Sequence, residues 1–145
     1  MMGCVLAEGE AYDSPRALAQ AGPFPAVGPH WMVEDGEAAE VPPALRALVA
    51  AYRKLYLSYE PQEARYLTLH RGHMMFVRPD ERQFINAELI KNLTLTGTLN
   101  DIRERVEAFA AAGYDQLMVQ LVPGQEQALE EWARAFNLRT PVRAD

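Results

Sequence analysis

Leu93–Phe136 reads LTLTGTLNDIRERVEAFAAAGYDQLMVQLVPGQEQALEEWARAF, and its order decides the fold. Leu93–Thr96 predicts a short strand. Thr98 then stands as an N-cap with Asp101 three residues on, a capping-box-like start. Ile102, Val106, Phe109 and Ala110 recur at helical spacing and make the expected buried face. Gly113 is the expected helix stop. Asp115–Leu121 predicts a strand with apolar residues on both faces, the pattern of a strand covered on both sides. Glu126–Phe136 predicts a closing helix with Leu129, Trp132, Ala133 and Phe136 on one side. Strand, helix, strand, helix with short turns implies a parallel sheet with right-handed crossovers.

Upstream, MGCVLAEGE starts with strand-like residues almost at once. Ser14 and Pro15 suit the N-cap and first position of a helix. Pro23, Pro25 and Pro29 predict a kinked or irregular stretch, because each removes a donor and clashes backwards. Glu34–Pro43 reads as a polar loop. From Pro43 to Tyr59, Leu45, Leu48, Val49, Tyr52, Leu55, Tyr56 and Tyr59 form one wide apolar stripe, which predicts a helix. Residues 60–65 read as a second loop. Asn86 is placed to cap a short helix over Ala87–Asn92.

The 145 residues and 49% apolar content suit one domain, 1–145, large enough to bury a core. The net charge of −6, with no basic run, argues against a nucleic-acid partner. A single cysteine, Cys4, excludes an internal disulfide and suits a reducing compartment as a small buried residue. There is no apolar run of membrane-spanning length and no signal-peptide pattern at the N-terminus. The expected location is the cytoplasm, with no membrane partner.

Between the two halves lies LTLHRGHMMFVRPDE, Leu67–Glu81. His70 and His73 could act as an acid–base pair in a loop after a strand, or simply as hydrogen-bonded residues of a turn. A metal is not expected. The pair needs a third and fourth donor, and although Asp80 and Glu81 are near in sequence, Gly72 disfavours a helix that would align the histidines. Arg71 and Arg78 have the forked donors suited to an anion such as a coenzyme phosphate. The Gly97-Thr98 turn offers backbone N–H groups at a helix start, and Gly124 repeats that geometry. His30 and Trp31 read as packing residues, and Tyr52, Tyr56 and Tyr59 as core. Dinucleotide-fold glycine patterns, nucleophile-elbow serines and paired cysteines are missing.

In order and spacing, Leu93–Phe136, together with Cys4–Pro23 and LHRGHMMFV, resembles the C-terminal part of the luciferase-like flavin-dependent oxidoreductases. The resemblance implies a partial (β/α)8 TIM barrel, its C-terminal third to half, beginning inside a mid-barrel strand. It implies flavin mononucleotide or a deazaflavin coenzyme and a small-molecule substrate meeting at the strand C-termini. Loops at that rim shape the pocket over the flavin, so His70 and His73 become the expected catalytic residues. Arg71, Gly97 and Thr98 become the expected coenzyme contacts. Open parallel edges imply self-association or a companion barrel half. The alternatives are a non-catalytic dimerising or accessory module derived from that fold, and an unrelated small α/β binding domain.

Overall fold

The computed structural model describes residues 1–35 and 41–137. Of the loop expected over 34–43, residues 36–40 lie outside the described residues.

The expected partial barrel of parallel strands and crossover helices does not form. The described chain is mostly helical, and its one sheet has two short strands, β1 (Val5–Leu6) and β2 (Gly97–Thr98). They pair in parallel, Val5 opposite Gly97 and Leu6 opposite Thr98. Residues 116–121 form no strand, although they approach the sheet. The Met1 amino group donates to the Met118 carbonyl at 2.8 Å. The Gln120 N–H donates to the Met1 carbonyl at 2.8 Å, while Leu95 and Gly97 donate to the Met2 and Cys4 carbonyls at 2.9 and 3.2 Å. Alternate residues of an extended chain point their backbone groups to opposite sides. Segments 94–98 and 116–121 therefore flank the first segment on opposite edges. In the expected barrel they would be neighbours.

Residues 116–121 are also covered on one face only, where the sequence predicts two. Leu117, Val119 and Leu121 pack inward, whereas Tyr114 and Met118 are 66% and 76% exposed.

The helices follow local rules. In α1 (Pro15–Ala21), Ser14 caps by accepting the Ala17 N–H. The proline-rich stretch, expected to be irregular, is the helix α2 (Pro23–Glu34). Pro23 and Pro25 lie in its first turn, where backbone donors have no intrahelical partner to lose. Only Pro29 removes a bond, the one its missing N–H would give to Pro25. The third helix, α3 (Arg46–Leu57), is preceded by a 3-10 turn, and Val49 and Tyr52 are its buried residues. Residues 60–64 are bends and a 3-10 turn, as the expected second loop allows, and a short helix, α4 (Arg65–Leu69), stands in place of the strand expected before His70. Asn86 caps α5 (Ala87–Leu93) as predicted. Thr98 and Asp101 form a complete capping box on α6 (Leu99–Ala111). Of the buried face predicted for α6, Ile102 is buried but Ala110 is exposed. The closing helix α7 (Ala128–Ala135) turns Ala128, Trp132 and Ala135 inward and leaves Leu129 63% exposed, so the predicted face is rotated.

Strand alternation divides the core. Cys4 and Leu6 face α1 and α5, packing with Leu18 and Ile90, whereas Val5 packs with Ile102 and Trp132 of α6 and α7. Burial between these layers pushes the Cys4 thiol up to about 12, against a smaller opposing pull from Arg16. A third cluster joins α2, α3 and α4 through Val33, Tyr52, Tyr59 and Leu69. Among the described residues, no helix is long and apolar enough to cross a membrane.

Candidate functional site

All three histidines of the chain meet at the edge of this third cluster. His30 comes from α2, His70 from the end of α4, and His73 from the turn that follows. The turn is closed by His73 N–H to His70 C=O at 3.0 Å and Met75 N–H to Gly72 C=O at 2.8 Å. Gly72 has φ +79°, and a Cβ there would meet the Phe76 ring at 2.3 Å. The positive φ favours glycine, and the reversal returns His73 to the side of His70. The two Nδ1 atoms are 3.2 Å apart. One nitrogen from each of His30, His70 and His73 lies within 4.8 Å of the other two.

Two carboxylates hold the rings from behind. Glu34, one helical turn after His30, takes a hydrogen bond from His70 Nε2 at 2.8 Å. Glu81 takes one from His30 Nε2 at 2.9 Å. A carboxylate only accepts, so both Nε2 atoms carry a hydrogen, and in the neutral rings both Nδ1 atoms present a lone pair. The Nδ1 of His30 is buried and has no hydrogen-bond partner. Burial, then the neighbouring His30 and His70 rings, shift His73 below the usual histidine range.

Glu81 is itself fixed from several sides. It accepts from the Tyr52 hydroxyl at 2.8 Å and the Arg78 backbone N–H at 2.9 Å, and it pairs with the Arg78 guanidinium at 3.0 Å. Burial alone would raise its pKa. The hydrogen bonds from His30, Arg78 and Tyr52 and the Arg78 charge outweigh burial and hold the carboxyl below its ordinary range. Arg78 is 1% exposed and also donates to the Leu69 carbonyl, Asp80 and the Tyr59 hydroxyl. Burial pushes the Tyr59 hydroxyl up to about 12.

The structure thus brings together His70 and His73 and adds His30, Glu34 and Glu81. His30 was missed because its contact spans forty residues. The available signal was the spacing of His30 and Glu34, one turn apart, hidden by reading the prolines as helix breakers. Arg71 is exposed on the same turn. Arg78 is not available to an anion, since its donors are engaged inside the protein.

Gly97 and Thr98 lie at the sheet. The Gly97 N–H bonds Cys4, and the Thr98 N–H and hydroxyl both donate to Asp101 at 2.8 and 2.7 Å. The Gly124 N–H likewise donates to Glu126 at 2.9 Å. A cavity of about 280 Å³ beside Leu6 and Leu99 has Arg16 in its wall, but Glu10 and Glu131 both bind that guanidinium. The Gly97 and Thr98 N–H groups are thus bonded within the protein, and Arg71 is an exposed cation. No family model, curated protein or solved structure matches the chain.

Proposed function

We propose that the chain is part of a luciferase-like flavin- or deazaflavin-dependent oxidoreductase, to which it contributes acid–base histidines for a small-molecule substrate. The observation that carries this reading is the Glu34–His70–His73 chain of hydrogen bonds. Glu34 fixes the His70 tautomer, and the bare His70 Nδ1 accepts the His73 Nδ1–H. That leaves the Nε2 lone pair of His73 as a proton acceptor on an exposed side chain. The depressed His73 pKa keeps this acceptor neutral near pH 7. The parallel pairing of β1 with β2 supports the family. The coenzyme supplies the redox chemistry when bound. Arg71 is the residue left to meet its phosphate. A cytoplasmic location accords with this reading.

Fluorescence titration with flavin mononucleotide and with the deazaflavin coenzyme tests it. Saturable binding is expected, weakened in Arg71→Ala and unchanged in His73→Ala. Turnover should fall by roughly 100-fold or more in His73→Ala. No saturable response to either coenzyme would overturn the assignment.

One observation favours the second reading, a non-catalytic dimerising module. Tyr114 stands exposed in the wall of a cavity of about 390 Å³ lined also by Val106, Phe109 and Leu117, and Met118 is exposed nearby in sequence. A second copy of the chain is the partner proposed for that face.

A further inference from the structure

We propose that His30, His70 and His73 form a three-histidine site for a divalent transition-metal ion, zinc before others, with an open fourth position. The proposal does not rest on the coenzyme reading. The metal takes His73 Nδ1 and the proton takes His73 Nε2, and a neutral imidazole has only one of these bare at a time, so the two describe alternative states of one cluster.

Spacing is the first argument. Zn–N bonds of roughly 2.0–2.1 Å in a tetrahedral shell put ligand nitrogens about 3.3 Å apart. His70 Nδ1 and His73 Nδ1 already stand 3.2 Å apart. One nitrogen from each of the three rings lies within 4.8 Å of the other two, so the three close into such a shell with shifts on the order of 1 Å. Ring rotation about the side-chain bonds covers that distance.

The carboxylates are the second argument. Ligating histidines commonly donate their other ring N–H to a carboxylate, which fixes the tautomer and raises the basicity of the ligating nitrogen. Glu81 does this for His30 and Glu34 for His70. Both leave Nδ1 bare.

The third argument is the orphan. A buried polar atom without a partner is rare and calls for a cause. His30 Nδ1 is such an atom, and a metal ion would satisfy it. His73 has only to move its hydrogen from Nδ1 to Nε2 for its Nδ1 to serve as a ligand. Three imidazoles suit zinc, copper, nickel or iron, whereas magnesium and calcium require oxygen ligands. Three protein ligands leave the fourth position to water, and the exposed His73 side is where water enters.

Calorimetric titration of the chelator-stripped 145-residue chain with zinc chloride tests the proposal, with magnesium chloride as the comparison and no coenzyme present. One zinc per chain is expected, with no response to magnesium. His73→Ala should abolish the one-to-one isotherm while leaving the metal-free circular dichroism unchanged. Glu34→Gln should weaken zinc binding by roughly 10- to 100-fold. His70→Gln provides a second ligand variant should His73→Ala fold poorly. Zinc binding that is absent, or equal in the parent chain and in folded ligand variants, overturns the site. Because the readout is metal alone, a failure of the coenzyme titration leaves this result standing.

Discussion

Glu81 holds two functions in one carboxylate. It neutralises the buried Arg78 guanidinium and it fixes the His30 tautomer. Glu81→Ala leaves Arg78 charged in the interior, and breaking a buried pair in this way costs about 3–5 kcal/mol. Urea unfolding should show that loss, whereas a change below about 1 kcal/mol would mean that Asp80 suffices as the counter-ion. Gly72 makes a different demand. An alanine there adopts a left-handed backbone at a cost of about 1–2 kcal/mol and also displaces the Phe76 ring. Thermal melts of Gly72→Ala should report a lowered midpoint, together with loss of the His70–His73 pairing. At this scale the sequence was half legible. HRGH announces a turn with two histidines, because glycine between them is a local signal. The tautomers were not legible, since Glu34 and Glu81 that set them come from elsewhere in the chain.

The best-read elements are those with chemical ends. Ser14, Asn86 and Thr98 each accept a backbone N–H just inside the helix they start, a bond formed between near neighbours. Thr98→Ala should cost about 1 kcal/mol in chemical denaturation. A value near zero would mean that Asp101 alone secures the end of α6. The prolines misled because their cost depends on position within a helix, and position is fixed by where α1 ends. Segment 116–121 misled because an apolar run does not say how many of its faces find cover. The loop between β1 and α1 carries a pH dependence. Arg16 donates to Glu10 and, with the Ala7 N–H and Ser14, outweighs burial and holds that carboxyl at about 2, below its usual 4.5. A carboxyl depressed by folding stabilises fully above its unfolded value and loses the effect as pH falls. The melting temperature should therefore drop as pH is lowered from 4.5 towards 2, and Glu10→Gln should flatten that slope.

Across the whole molecule, neither the overall architecture nor the strand order was legible, and the expected partial barrel did not form. Which segments lie side by side depends on how the helices pack over them. Here 94–98 and 116–121 take opposite edges of the first segment, and this arrangement leaves Tyr114 and Met118 facing outward. If that face binds a second copy, sedimentation should show mass rising with concentration, and Met118→Lys should return the chain to a monomer. A monomer at every concentration in both proteins would exclude dimerisation. Cys4 lies where the two layers meet the sheet, fully enclosed and held as a protonated thiol. It is the only cysteine, so every thiol-reagent event on the native chain is a record of the layers parting. Under conditions where closing outruns labelling, its reaction rate relative to a free thiol gives the equilibrium constant of that opening, and the molecule carries its own clock for breathing.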